Sequence, residues 1–222
     1  KRFVFLKKNR MKKSITLLIL FFSLITLGQN EKINQLNKEN QKTGFWKLIS
    51  KDGNIEITST FLDGKYVSNT QYYKNKKLVA SYNNELNELL IINDSVSTKA
   101  KFLMNEDSSR TLINIDDSEI DEGISNYFYS FSEMEPLYEG GMENLYFFVA
   151  RNLSIGNFYG KLRIQFSVDP NGFVHNVELI EGNNTKIEKE AKKVFQKIPR
   201  WQPGHKNGVF KDTTLIFPLT FN

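Results

Sequence analysis

The stretch Lys161-Leu162-Arg163-Ile164-Gln165-Phe166-Ser167-Val168 decides the fold of this chain. Its apolar and polar residues alternate strictly, which is typical of a β-strand with one buried face. A proline-initiated turn follows at residues 169–172, and residues 174–180 return as a second strand. The pattern therefore predicts an antiparallel hairpin at the centre of a small domain.

Helices are predicted on both sides of this hairpin. The first runs from Gly141 or Met142 to about Asn152, and the second from Lys186 to Ile198, with Asn184 or Thr185 as its cap and Pro199 at its end. The apolar stripe of the first helix consists of Met142, Leu145, Val149 and Leu153. Each helix thus has one face that can pack on a sheet.

A final strand is predicted over residues 212–221, because its apolar residues alternate. It contains Pro218, and a proline in a sheet is confined to edges, strand starts and bulges. We therefore expect this strand at the edge of a three-stranded antiparallel sheet. The predicted class is α+β, with two helices in this domain and a small β-rich region of hairpins before it.

Five motifs in this region, in order, resemble the C-terminal domain of TonB as it occurs in Bacteroidetes. The motifs are Pro136-Leu137-Tyr138-Glu139-Gly140-Gly141, Gly160-Lys161, Val168 to Val174, Arg200-Trp201-Gln202-Pro203-Gly204 and Phe217-Pro218-Leu219-Thr220-Phe221. The resemblance covers about ninety residues, 133–222. It implies a periplasmic domain that binds a short extended segment, the TonB box, of an outer-membrane TonB-dependent receptor.

An edge strand is also a physical candidate for such binding, because its free N–H and C=O groups can accept an added strand. The candidate partner-binding residues are Thr213, Thr214, Leu215, Ile216, Phe217, Leu219 and Thr220. The alternative is a strand with a structural role only. Trp201, Pro203, Gly160 and Gly172 are predicted to be structural anchors, since a tryptophan after a helix is more often part of the core than a ligand platform.

Nothing in the sequence predicts catalysis, a metal site or a cofactor. The two histidines, His175 and His205, lack metal-ligand spacing, one in a predicted strand and one in a predicted turn. There is no cysteine, which excludes disulfides and thiolate chemistry. The protein is therefore predicted not to be an enzyme.

The N-terminal residues read as a targeting segment. Met11-Lys12-Lys13 precedes an apolar run from Ile15 to Leu27 and the small residue Gly28, as in a secretory signal peptide, and Met11 is the expected start. We expect residues 1–29 to be removed and the mature chain to lie in the periplasm or cell envelope. The alternative is a retained inner-membrane anchor, the only case in which we expect membrane contact.

Residues 30–132 are predicted to form a hairpin region that ends in an acidic linker, residues 105–123, with a domain boundary near Ser132. The turns Asp52-Gly53, Asp63-Gly64 and Asn75-Lys76 separate β-prone runs. Residues 44–82 are similar to MORN-type hairpin repeats, with a period of 23 residues. The alternative is an ordinary small antiparallel sheet.

The net charge of the chain bears on whether nucleic acid is a partner. The formal charge of +5 arises from residues 1–30, which carry seven of the 30 basic residues and no acid. The remainder has 23 basic and 25 acidic residues, a net of −2. A chain near neutrality gives no indication of nucleic-acid binding.

Two functions follow from the sequence. The first is a TonB-like envelope module that contacts outer-membrane receptors and serves energy transduction for transmembrane transport. The second is an envelope scaffold or adaptor, which uses the same domain for another partner or for homodimer formation. The second is favoured by the short apolar run without histidine and by the absence of proline before Pro136, because extended spacers depend on proline.

Overall fold

The computed structural model describes residues 32–94, 96–154, 156–182 and 184–221. The predicted signal peptide, residues 1–29, lies outside the described residues. Residues 33–222 form one compact unit. It contains a nine-stranded sheet, a three-stranded sheet and a short hairpin, all antiparallel, together with three helices in its described part. The predicted α+β class is confirmed.

Apart from the short β4, the large sheet is a meander in which each strand pairs with the next along the chain. Its strand order is β1-β2-β3-β5-β6-β7-β8-β9, and β4 pairs with the end of β3. The strands are β1 (Gln35–Leu36), β2 (Lys42–Ile49), β3 (Ile55–Leu62), β4 (Lys65–Tyr66), β5 (Thr70–Lys74), β6 (Lys77–Asn83), β7 (Glu88–Asn93), β8 (Val96–Met104) and β9 (Arg110–Asn114).

The predicted turns join these strands. Gly53 has a φ of 74°, and Asp63 and Gly64 both have positive φ, as the twist of a two-residue hairpin requires. Asn75 and Lys76 form the same kind of turn without glycine. The predicted hairpins are thus confirmed as one sheet, while their similarity to MORN-type repeats stays a prediction.

One face of the large sheet is covered by helix α1 (Glu122–Ser132). The carboxylate of Asp121 caps the helix by accepting from the Ile124 N–H, and Phe128 and Phe131 are fully buried against Tyr72 of β5. Neither α1 nor β9, which lies within the segment interpreted as an acidic linker, was predicted. The domain boundary near Ser132 stays a prediction.

The small sheet has the order β11-β10-β14, with β10 (Gly160–Val168), β11 (Val174–Glu181) and β14 (Thr213–Phe221). Helices α2 (Gly141–Asn152) and α3 (Thr185–Phe195) pack on one face of it, and α3 lies over β11. The aromatic part of this core consists of Tyr138, Phe166, Phe195, Trp201 and Phe217. The predicted order of helix, hairpin, helix and strand is confirmed.

Two details differ from the prediction. The side chain of Met142 was expected on the buried stripe of α2 but is 45% exposed, because it lies one turn before Leu145, the first fully buried residue of the stripe. A short hairpin, β12 (Gly204–Lys206) and β13 (Val209–Lys211), was missed. It turns at Asn207 and Gly208, which both have positive φ.

The missed hairpin packs against the large sheet. The ring of Phe210 lies 5.6 Å from that of Trp46 and 5.7 Å from that of Phe61, in edge-to-face geometry. Asn207 and Arg110 exchange hydrogen bonds, each donating from its side chain to the other's carbonyl oxygen, at 3.0 and 2.8 Å. The chain therefore contacts the large sheet immediately before it enters β14.

Candidate functional site

Strand β14 lies at one edge of the small sheet. It pairs with β10 from Thr213 opposite Val168 to Phe221 opposite Gly160, without a register shift. The helix-facing residues are Leu215, Phe217, Leu219 and Phe221, and Thr214, Ile216 and Thr220 are exposed on the other face. All seven candidate partner-binding residues therefore lie on one edge strand.

The direction of the β14 backbone groups follows from two observations. Proline is tolerated in an edge strand when its nitrogen faces away from the ladder, and Pro218 pairs opposite Arg163 in an unbroken register. The hydroxyls of Ser167 and Thr214 also meet at 3.0 Å, as suits a non-hydrogen-bonded pair with its closer side chains. Backbone direction alternates along a strand, so residues 214, 216, 218 and 220 share one direction, away from β10.

The opposite edge of the small sheet is irregular. The pairing of β10 with β11 shifts between Arg163 and Ile164 and again between Gln165 and Ser167. Bulges of this kind twist an edge and interrupt its hydrogen-bonding row. Of the two edges, β14 is the regular one.

The large sheet has an edge closed by side chains. Strand β1 covers only the start of β2, at Lys42 and Thr43. Farther along β2, the amide of Asn34 bonds to the backbone N–H and C=O of Lys47, and the amide of Gln202 does the same for Ile49 at 2.7 and 2.9 Å. Among the described residues, no side chain bonds in this way to the backbone of residues 214–220.

Three of the four predicted anchors, Trp201, Pro203 and Gly172, lie at or against the turn that follows α3. Trp201 is 3% exposed and packs against the rings of Tyr138 and Phe166, and Pro203 is buried beside it. The N–H of Trp201 donates to the carbonyl of Gly172 at 2.9 Å. Gly172 has a φ of 91°, and a Cβ there would overlap the carbonyl oxygen of Trp201. Gly160 begins β10 with a φ of 132°.

Two cations connect the turn before β11 to the large sheet. The ammonium of Lys42 donates to the carbonyl of Pro170 and to Oδ1 of Asn171, at 2.5 and 2.7 Å, and lies 4.5 Å from the ring centre of Trp46. Burial lowers the pKa of Lys42 to about 8. Arg200 donates to the carbonyls of Asn171 and Asn34. These bonds fix the small sheet against β1 and β2.

His205 lies in β12 rather than in the predicted turn, and its side chain is 1% exposed. Its Nδ1 donates to the carbonyl of Ser132 at 3.0 Å, and its ring packs edge-on against Tyr72 and Phe210. Burial lowers the pKa of His205 to about 4, against the opposing effect of that hydrogen bond. The imidazole is therefore a neutral packing group at pH 7. His175, in contrast, lies at the surface and bonds to Asp212 at 2.6 Å.

Two cavities have the segment from Glu133 to Glu135 in their lining, and the first of them also includes Thr213 and Thr214 of β14. One, of about 210 Å³, is lined by charged groups including Lys206, Lys211 and Asp212. The other, of about 350 Å³, lies between the turn after β2 and the start of α2, and Met142 is part of its lining. The edge strand thus begins beside the smaller, charged cavity.

The described residues contain no group of three or more side chains suited to hold a metal ion. No helix among them is long and apolar enough to cross a membrane. The functional features that sequence reasoning missed are the amides of Asn34 and Gln202 and the hairpin at Asn207-Gly208. Only the hairpin had a sequence signal, since Asn-Gly between β-prone residues is a strong hairpin indicator.

Fold and site together define a small α+β domain with one regular, uncovered edge strand. Residues 155–222 match the family model described as the C-terminal domain of the Gram-negative bacterial TonB protein, a non-catalytic family. The match begins after α2 and includes both edges of the small sheet. The chain matches no curated protein and no solved structure.

Proposed function

We propose that this protein is a periplasmic binding module whose β14 edge pairs with an extended segment of an outer-membrane TonB-dependent receptor. The observation that carries the proposal is the regular, uncovered edge of β14, within residues that match the TonB C-terminal family. Strand addition uses backbone hydrogen bonds for affinity, and the outward N–H groups of Thr214, Ile216 and Thr220 are the donors. Thr213, Leu215, Phe217 and Leu219 hold the strand against β10 and the helices.

Delivery to the envelope is part of the same proposal. The signal-like segment at residues 1–29 carries the chain across the inner membrane, and the folded chain contacts its partner from the periplasm. Mass spectrometry of the mature N-terminus tests this step. Cleavage near Gly28 or Gln29 is expected for a soluble adaptor, whereas retention of residues 11–28 supports an anchored energy transducer.

The large sheet bears on whether energy is transduced. Residues 33–132 fold into paired strands and a helix, which bond through Lys42 to the turn between β10 and β11 and through Ile49 to Gln202. A proline-rich extended spacer, in contrast, has reach because it stays unpaired. We therefore propose receptor contact without an extended spacer, so that the large sheet positions the binding edge.

Site-specific photo-crosslinking tests the partner. A crosslinking residue is placed at Ile216 in the full chain, with a matched position at Leu86, which is 63% exposed in the turn between β6 and β7. Envelopes of the bacterium that makes the protein are irradiated, and crosslinked peptides are sequenced. An adduct at position 216, absent at position 86, with a periplasmic segment of an outer-membrane receptor is the expected result.

A proline substitution provides the second arm. With the crosslinking residue moved to Thr220, Ile216→Pro removes an outward donor while preserving the direction that Pro218 already has, so the fold is expected to survive and the adduct at position 220 to disappear. An adduct between two copies of this chain supports the homodimer instead, a second candidate favoured by the same uncovered edge. Adducts that persist in Ile216→Pro contradict pairing at β14.

A further inference from the structure

The helix beside the open edge carries an apolar surface that its own fold does not bury. Met142, Tyr146 and Phe147 of α2 are 45%, 38% and 56% exposed. Phe147 lies on the side of α2 nearly opposite Leu145 and Val149 and so points away from the sheet. We call Met142 and Tyr146, which lie one helical turn apart on the same side of α2, the apolar shelf. Their neighbours Leu145 and Val149 are fully buried, so α2 uses one side for the core and leaves the shelf outside it.

The shelf lies on the side of the sheet where β14 is the edge. The ring of Tyr146 lies 4.4 Å from that of Phe217, at an interplanar angle of 34°. Helix α3 lies over β11 at the opposite edge, which leaves α2 on the β14 side. A strand added to β14, about 5 Å farther out, would therefore run beside Tyr146.

The pleat determines which side chains of the added strand, called the guest strand from here on, face the shelf. Residues directly opposite each other in a sheet point to the same face. Guest residues opposite Leu215, Phe217 and Leu219 thus face the helices and the shelf. Guest residues opposite Thr214, Ile216 and Thr220 face the open side of the sheet.

We infer that the partner segment is an extended peptide with apolar side chains at every second position, selected by the apolar shelf. The inference rests on the proposed function, because it takes strand addition at β14 as given. Burial of apolar area contributes about 25 cal/mol per Å². Binding is therefore more favourable when the added strand turns its apolar side chains towards the shelf than when it turns them towards the open side of the sheet. A one-residue slip would place polar groups on Tyr146.

The apolar shelf adjoins a cavity at its Met142 end. Met142, one turn before Tyr146, lines the cavity of about 350 Å³ between α2 and the turn after β2, together with Ile49 and Leu137. The lining of this cavity includes no residue of β14, so the cavity adjoins the shelf but not the binding edge itself.

The test uses the full chain and a phage-displayed library of random nine-residue peptides. Peptides retained by the wild-type chain are counter-selected against Ile216→Pro, and the edge-dependent ones are sequenced and synthesised. The expected result is apolar residues at alternate positions. Affinity, measured by fluorescence anisotropy, is expected to fall at least tenfold in the double variant Met142→Ser/Tyr146→Ser.

Controls separate the two proposals. Leu86→Ser removes a similarly exposed apolar side chain far from the shelf and is expected to leave affinity unchanged. Edge-dependent peptides without alternation, or with affinity insensitive to the shelf variant, overturn the inference and leave pairing at β14 standing. If no retained peptide depends on position 216, strand addition itself is contradicted. Circular dichroism confirms the fold of each variant before binding is measured.

Discussion

Strands β2 and β14 each present a free edge of an antiparallel sheet. The two edges differ in whether side chains hydrogen-bond to their backbone groups. At β2, the side-chain amides of Asn34 and Gln202 each satisfy one backbone N–H and one C=O group. At β14, no described side chain does so. Edges left unpaired are a hazard for aggregation, which natural proteins manage explicitly. Closing one edge while leaving a regular edge free is what a binding role for β14 requires.

The largest expected effect contrasts two glycines in hairpin turns, one in each sheet. Gly172→Ala forces a side chain against the Trp201 carbonyl at positive φ and is expected to cost about 3 kcal/mol or more of unfolding free energy. Gly53→Ala also has positive φ, but a Cβ there meets nothing within 4 Å, so about 1 kcal/mol is expected. Urea denaturation measures both. Equal losses would show that Trp201 does not constrain the small sheet.

Acid should weaken the junction between the sheets through His205. Because its folded pKa is about 4, below the ordinary 6.5, the unfolded chain takes up a proton first as the pH falls. The stability contribution is complete above pH 6.5 and is lost towards pH 4, about 3 kcal/mol in total. Denaturation midpoints of wild type and His205→Gln between pH 7 and 4 measure the difference. Parallel pH profiles for the two proteins would contradict it.

Removing the side-chain bonds that close the β2 edge is expected to lower the unfolding free energy by less than the two changes above. Gln202→Ala removes both bonds to Ile49, which lies at a partly exposed position where water can replace them, so about 1 kcal/mol is expected. Hydrogen exchange at the Ile49 amide should accelerate. Gln202→Glu retains the acceptor for that amide but loses the donor, and should give an intermediate rate. An unchanged exchange rate in Gln202→Ala would mean that the amide does not protect the edge.

The smallest effect on stability is expected at the open edge. Pro218→Thr adds an outward N–H without touching the pairing with β10, so the unfolding free energy should change by less than about 0.5 kcal/mol. Peptide binding or self-association should strengthen, because the row of donors is completed. Sedimentation velocity and anisotropy measure both. A large gain of stability would show that the residue 218 backbone faces β10, because the new N–H would then complete the ladder.

The elements that sequence reasoning recovered have long, regular periods. Strand β10 alternates over its whole length, and α2 and α3 have stripes that only helices produce. The hairpin at Asn207-Gly208 escaped because three-residue strands are too short for periodicity, although its turn was legible. Helix α1 escaped because glycine and serine lower its propensity, so its helicity depends on burial of Phe128 and Phe131 against Tyr72.

The site was predicted only in part, for a physical reason. Proline and alternation in residues 212–221 indicate an edge strand, but whether that edge is covered depends on distant residues. Gln202 bonds to Ile49 across 153 positions of the chain, and no local pattern encodes such a pairing. Exposure of Met142, on an otherwise buried stripe, likewise depends on where the sheet ends. Departures of this kind are expected at functional surfaces.

The short link between β13 and β14 has a mechanical consequence. Only Asp212 separates Lys211, in the hairpin held on the large sheet by Phe210 and Asn207, from Thr213 at the start of the edge strand. Tension on a bound segment would pass along β14 into this hairpin and from there into nine paired strands. The load would be shared by many hydrogen bonds of the large sheet, and the binding strand would be held at its Thr213 end.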